Sequence, residues 1–156
     1  MNIDNQVNPT ILLVEDSEDD VFFMRHAFQK AKVTFPLQVV SDGQAALDYL
    51  AGIGPYIDRG QYPVPSLIFL DLKMPYVNGF EVLAWLQGQP TSAEIQVVVL
   101  TSSPEERDRQ QAKELGARAY LVKPATEEMI LQTMHFITAR PLPFAAAESA
   151  RRVAVA

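Results

Sequence analysis

Five short apolar runs, Ile11–Val14, Leu37–Val40, Leu67–Leu70, Val97–Leu100 and Ala119–Val122, constrain this chain most. None has helical spacing and each is bounded by polar or turn residues, so they read as five buried strands. The segments between them repeat their apolar positions with a period near 3.6 and carry helix starts. Ser17-Glu18-Asp19-Asp20 resembles a capping box, and Ser103-Pro104-Glu105-Glu106 adds a proline in the first turn. Asp42 can cap a helix through Leu50, Gly79 to Leu86 gives another, and Thr126 can cap a last one through about Ala139. Gly116 stands where a helix end wants a left-handed residue. Alternating strands and helices imply right-handed crossovers and a parallel sheet covered on both faces, a three-layer α/β domain. On this pattern alone, Rossmann and flavodoxin-like strand orders are both open.

Two stretches break the rhythm. Gly52–Pro65 holds three glycines and three prolines and reads as a long surface loop. After Arg140, Pro141 and Pro143 stop the last helix and an Ala-rich tail follows. The expected organisation is therefore a flexible N-terminus over 1–8, one domain over 9–140 and a tail over 141–156. A length of 156 residues suits a single compact domain. The formal net charge of −6 argues against phosphate-backbone or anionic-lipid binding, and a cysteine count of zero excludes disulfides and thiolate metal sites. The first ten residues lack a signal-peptide pattern, and no apolar stretch is long enough to span a bilayer. These features fit a cytoplasmic protein that binds neither DNA nor membrane.

Acids stand where strands end. Glu15 and Asp16 follow the first run directly, and Asp71 follows the third. In doubly wound sheets, ligands bind at the carboxyl ends of the strands beside the point where strand order reverses. If the first and third strands are neighbours, these carboxylates converge. At about 5 Å and an effective dielectric near 20, each pair repels by roughly 3 kcal/mol, so the group needs protons or a cation. Oxygen ligands without histidine or cysteine favour Mg²⁺ or Mn²⁺. Thr101 and Lys123 fall at the ends of the fourth and fifth runs, on the same rim. A hydroxyl and an ammonium beside a metal and a carboxylate are what a transferring phosphoryl group needs on its oxygens, which suggests transfer to Asp71. Asp19 and Asp20 read as first-turn acids favoured by the helix dipole, with at most an indirect electrostatic role.

Together these residues resemble the receiver domains of bacterial response regulators. Glu15-Asp16 is similar to the family's acidic pair, Asp71-Leu72-Lys73-Met74-Pro75 with Gly79 to its phosphoacceptor motif and following loop, Thr101-Ser102 to its switch hydroxyl, and Lys123-Pro124 to its terminal motif. Order and spacing match over roughly residues 9–139. The resemblance implies the flavodoxin-like order 2-1-3-4-5, with Asp71 as nucleophile. It further implies a Mg²⁺ (or Mn²⁺) site made by Glu15, Asp16, Asp71 and the backbone carbonyl of Lys73. Lys123 would pair with a phosphoryl oxygen and Thr101 would hydrogen-bond another. Tyr120 would be the rotating aromatic, outward when unphosphorylated and inward after Thr101 shifts. The Lys123–Pro124 bond is typically cis in the family. Lys73 and Ser103 occupy variable positions that tune phosphoryl lifetime, and the Lys73 ammonium could compete with the metal or contact phosphate. The Gly/Pro-rich insertion and the Glu-Asp pair resemble single-domain regulators paired with phytochrome-type sensor kinases.

The implied role is that of a single-domain response regulator of a two-component phosphorelay. It would take its phosphoryl group from a sensor histidine kinase or histidine phosphotransfer protein, catalyse only its own phosphorylation and dephosphorylation, and signal by binding other proteins. On the first helix, Val21, Met24, Ala27, Phe28 and Ala31 form the core stripe, which leaves Phe22 and His26 outward as a candidate kinase-docking surface. Met129, Ile130, Met134 and Ile137 read as core or dimer surface, and the tail with Phe144, Val153 and Val155 as disordered or as an arm on a second copy. His135 carries no expected role. Two rival readings are a haloacid-type phosphatase or phosphotransferase and an unphosphorylated pseudo-receiver. The first wants an acid two residues beyond its nucleophile, where this chain has Lys73; the second usually lacks one of the acids, the Thr or the Lys, and all are present.

Overall fold

The computed structural model describes residues 9–138, with side chains as far as residue 135. Five parallel strands, β1 (Ile11–Val14), β2 (Leu37–Val40), β3 (Leu67–Leu70), β4 (Gln96–Thr101) and β5 (Ala119–Val122), lie in the order β2-β1-β3-β4-β5. This is the flavodoxin-like order, and it rules out the Rossmann one. Five helices connect and follow the strands: α1 (Glu18–Lys30), α2 (Gly43–Ala51), α3 (Gly79–Gln87), α4 (Glu106–Glu114) and α5 (Glu127–Thr138).

Because side chains alternate along a strand, each apolar run feeds two cores. Leu12, Val14, Ile68, Leu70, Val97 and Val99 pack with Ala46 and Tyr49 of α2, Val82 and Leu86 of α3 and Ala112 of α4. The alternate residues, among them Leu13, Phe69 and Leu100, pack with Met24, Ala27 and Phe28 of α1 and Met129, Ile130 and Met134 of α5. The expected α1 stripe is thus the buried one, with Val21 and Ala31 at its margin. Of the expected α5 set, Met129, Ile130 and Met134 are core. The side chain of Ile137 and the tail residues lie outside what the structure describes.

Most helix starts fall where the capping residues put them. The Asp42 carboxylate accepts from the Ala45 N–H at 2.7 Å, and the Thr126 hydroxyl from the Met129 N–H at 3.2 Å. Ser17 accepts from the Asp20 N–H, but the Asp20 carboxylate goes to Lys123. Gly116, one residue past the α4 cap, has φ +97°. The capping box of α3, in which Asn78 and Glu81 bond each other's backbone N–H, was not read from the sequence.

Three expectations need correction. β2 is an edge strand and only Val40 of it is fully buried, because one of its sides has no neighbour. Ser103-Pro104 does not open α4, which begins at Glu106 without a side-chain cap, since the Ser103 hydroxyl bonds Asp108 instead. The Gly52–Pro65 stretch is more than a loop. After Gly52 turns the chain at φ +68°, a short 3₁₀ helix (Gly54–Tyr56) packs over α2. The Arg59 guanidinium then donates to the carbonyls of Tyr49 (2.7 Å), Leu50 (2.8 Å) and Tyr62 (3.2 Å), covering acceptors that a helix end leaves open.

Candidate functional site

The register of the sheet assembles the rim. Val14 pairs with Leu70, so Glu15 and Asp71, one residue further along neighbouring strands, stand side by side. Their backbones extend the ladder: the Asp71 N–H donates to Val14 and the Glu15 N–H to Val40. Thr101 pairs with Val122, which puts Lys123 next to it, and the Lys123 N–H donates to the Thr101 carbonyl at 2.8 Å. Gly79 fixes the other side of Asp71. A Cβ there would overlap the Asp71 carbonyl oxygen and Leu72 Cα, so only glycine lets α3 start against the strand end.

Glu15 and Asp71 are buried and Asp16 is exposed, and each offers a carboxylate oxygen within 4.8 Å of the others. Into this group reaches the Lys123 ammonium, 2.7 Å from Glu15 Oε2, 2.8 Å from Asp20 Oδ2 and 3.3 Å from Asp71 Oδ2. Burial alone would lower the lysine pKa, but the hydrogen bonds to Asp20 and Glu15 and the charge of Asp71 outweigh it and hold the ammonium well above its usual value. Burial pushes the Glu15 carboxyl up to about 7, against the pull of Lys123 and the Ser17 N–H and with the help of the neighbouring Asp71 charge. One ammonium does not neutralise this many carboxyls. A buried excess of negative oxygens, with no nitrogen or sulfur donor among them, fits a hard divalent cation.

The second half of the rim is a chain of polar contacts from β3 to α4. The Lys73 N–H donates to Asp71 Oδ1 at 3.3 Å, while its ammonium lies 3.2 Å from Asp108 Oδ2. The same oxygen accepts the Ser103 hydroxyl at 2.6 Å, and the Tyr120 hydroxyl donates to the Ser103 carbonyl at 2.7 Å. Thr101 is fully buried, its hydroxyl oxygen 3.5 Å from the Ser103 N–H. The Ser103 hydrogen bond and the Lys73 charge, opposed by burial, keep the Asp108 carboxyl below its ordinary range. Burial raises the Tyr120 phenol, so it stays a neutral donor. The Arg109 guanidinium sits over the Tyr120 ring, 5.4 Å from its centre.

The expected site residues Glu15, Asp16, Asp71, Lys73, Thr101 and Lys123 therefore meet on one rim. Three expectations about them change. Tyr120 occupies the inward of its two expected positions, because the Ser103 carbonyl inside satisfies its hydroxyl. The Lys73 ammonium points to Asp108 on α4, not to the acids. Asp20, expected to act only indirectly, holds Lys123. The signal for Asp20 was available: Cβ bonds tilt toward a helix N-terminus, so a first-turn acid after β1 leans over the rim. Asp108 gave no such signal, being one acid in the strongly polar run ERDRQQAKE, yet it is buried.

Phe22 and His26 stand outward on α1, their rings stacked 6.4 Å apart, with Phe22 65% exposed. Phe23, not singled out in the sequence, is half exposed as well and lines a groove with His26, Lys30, Pro124 and Thr126. The Lys123–Pro124 bond bordering that groove is cis.

Residues 11–135 match the profile of the response regulator receiver domain. The response regulator Rcp1 of Synechocystis sp. (strain PCC 6803) is 38% identical over 121 residues, 76% of this chain and 80% of that protein. Its Mn²⁺-bound structure superposes with a TM-score of 0.71 at 33% identity, covering 86% of this chain and 96% of that one. Response regulator RPA3017, described in red light signaling of R. palustris, superposes at 0.76 with 36% identity, over 82% and 92% of the two chains. The phosphorylated cyanobacterial phytochrome response regulator RcpA also superposes at 0.76, with 32% identity, over 85% and 97%.

Proposed function

The chain belongs to the response regulator receiver domain family, and from that premise we propose that Asp71 is the residue on which it carries its phosphoryl group. Receiver domains are phosphorylation-driven switches that accept this group from histidine kinases, and the chain signals in that way. The observation that carries the assignment is the convergence of Glu15, Asp16 and Asp71 within 4.8 Å around a rim that also holds Lys123 and Thr101.

In the proposed transfer a carboxylate oxygen of Asp71 attacks the phosphorus of a phosphohistidine. The P–N bond breaks as the new O–P bond forms, and the imidazole leaves with its electron pair and takes up a proton. Glu15, Asp16, Asp71 and the Lys73 carbonyl would hold Mg²⁺, with Mn²⁺ as a substitute. When bound, the ion neutralises the excess carboxylate charge and the charge on the phosphoryl oxygens. The Lys123 ammonium, already 3.3 Å from Asp71, is in reach of a phosphoryl oxygen on that carboxylate, and the Thr101 hydroxyl is the donor for another. Tyr120 and Ser103 would report the change to α4. Slow attack of water on the acyl phosphate returns Asp71 to its free form.

The donor we favour is a phytochrome-type sensor histidine kinase, because the similar RcpA is a phytochrome response regulator and RPA3017 is described in red light signaling. It would dock on the Phe22, Phe23 and His26 face of α1, beside the acidic rim. We further assign residues 9–140 to the receiver unit and place its action in the cytoplasm, with pairing of two copies as a further output. Among the described residues no helix is long and apolar enough to cross a membrane.

The test is incubation with acetyl phosphate and Mg²⁺, followed by intact mass. Wild type is expected to gain the mass of one phosphoryl group and Asp71→Asn none. Unmodified wild type would overturn the phosphoacceptor reading, and a modified Asp71→Asn would move the acceptor elsewhere.

A further inference from the structure

We propose that Asp108 is a positioning residue that keeps the Lys73 ammonium out of the acidic pocket, by holding it on α4 at 3.2 Å while the Lys73 backbone N–H lies on Asp71. The inference rests on the reading of Glu15, Asp16 and Asp71 as the divalent-ion site.

Lys73 leaves the main chain at the pocket itself, since its N–H is 3.3 Å from Asp71 Oδ1. Three carboxyls, those of Glu15, Asp20 and Asp71, lie within 3.3 Å of the Lys123 ammonium there, and the Asp16 carboxylate adjoins Glu15 and Asp71. A second ammonium on a long flexible stem, half exposed, is drawn to such a field. It is found elsewhere because Asp108 offers a stronger hold. That carboxylate is buried as Glu15 and Asp71 are, but those two already share the Lys123 ammonium, whereas Asp108 pairs with Lys73. It is also held in place, its Oδ2 accepting the Ser103 hydroxyl at 2.6 Å, and Ser103 is fixed in turn by the Tyr120 hydroxyl on its carbonyl. Lys73 thus stands between two anionic sites, and the geometry of the loop between β4 and α4 decides which one it serves.

The consequence is read in metal binding. Asp108→Asn is isosteric and still accepts the Ser103 hydroxyl, but it releases the ammonium toward the rim, where it competes with a dication for the same oxygens. Calorimetric titration of the full chain with Mg²⁺ alone should show a dissociation constant about tenfold above wild type, the scale of one added charge a few ångströms from a divalent ion in water. Adding Lys73→Met to that variant removes the competitor and should restore binding to the wild-type range or tighter.

A single variant Asp108→Asn that binds as wild type does overturns the proposal. So does a double variant as weak as the single one, since the loss would then come from the packing of α4 and not from the freed ammonium. Wild type that binds no Mg²⁺ overturns both the proposal and the metal-site reading, whereas binding that is intact in wild type and unchanged in Asp108→Asn overturns the proposal alone.

Discussion

Two buried polar assemblies flank the same sheet, and they are built on opposite principles. Over the end of α2, the Arg59 guanidinium meets three backbone carbonyls, and the Tyr49 phenol, which burial pushes up to about 12, donates to the Pro63 carbonyl at 2.8 Å. Every charge there has found a complement. At the carboxyl ends of β1 and β3, three carboxyls share one ammonium with Asp16 beside them, and burial pushes one of the three, Glu15, up to about 7 despite its bond to Lys123. A satisfied cluster contributes stability and no reactivity. An unsatisfied one sacrifices stability, and the deficit is what a cation and a phosphoryl group can fill. The same sequence therefore shows where it is structural and where it is functional by how well its buried charges are matched.

The sharpest way to break this contrast is to relieve the rim. In metal-free protein, Glu15 binds a proton up to about pH 7, whereas in the unfolded chain it does so only to about 4.5. Between those values the folded state holds more protons than the unfolded one, so the contribution of this group to stability falls as pH rises and stays low above about 7. Lys123, whose ammonium is held above its usual value, contributes fully across this window and does not offset the fall. Glu15→Gln should remove the slope and, at pH 8 in chelator, make the protein more stable than wild type by up to about 3 kcal/mol in urea unfolding. Added Mg²⁺ should stabilise wild type more than the variant. A Glu15→Gln protein less stable than wild type at pH 8 would mean that the rim is as well satisfied as the α2 clamp.

The converse experiment removes a satisfied group. Arg59→Met deletes three charge-assisted bonds to carbonyls that are only partly open to water, and a loss of about 2 kcal/mol follows in the same urea assay. Phosphoryl uptake from acetyl phosphate should be unchanged, because no contact of Arg59 reaches the rim. Impaired uptake by a folded Arg59→Met would show the two assemblies to be coupled.

What the sequence disclosed follows the same division. Strand positions and the placing of Glu15, Asp71, Thr101 and Lys123 at strand ends were legible, because apolar runs locate strand ends and functional residues follow them directly; the strand order that brings them together came from the family resemblance, since the pattern alone left two orders open. Partners contributed by helices were not. Asp108 reaches Lys73 across 35 residues of sequence, and nothing in a polar helix marks which acid will be buried. The clamp was hidden for a related reason. A Gly/Pro-rich stretch announces turns, but the role of Arg59 depends on carbonyls at the end of α2 that only the folded chain brings under it. The rotamer of Tyr120 likewise turns on the Ser103 carbonyl, 17 residues away, and not on anything local to β5.

The smallest expected effect on stability separates the two regions at their surfaces. Phe22, on the helix that leaves the acidic rim, and Ile57, in the clamped insertion, are 65% and 72% exposed. Burial gives neither side chain a structural role, so replacing either by serine should alter stability by less than about 0.5 kcal/mol. They differ in what lies beside them. Phe22 stacks on His26, which together with Phe23 borders a groove against Pro124, one residue from the lysine at the rim, whereas Ile57 belongs to the insertion that Arg59 clamps to the end of α2. If the face of α1 receives a kinase, Phe22→Ser should slow phosphoryl transfer from a phosphorylated histidine kinase by about tenfold, the weight of one well-placed aromatic at an interface. Uptake from acetyl phosphate should stay at the wild-type rate, and Ile57→Ser should match wild type in both assays. Equal slowing with kinase and acetyl phosphate would locate the defect in the acidic pocket itself, and slowing by Ile57→Ser would move the docking surface to the insertion.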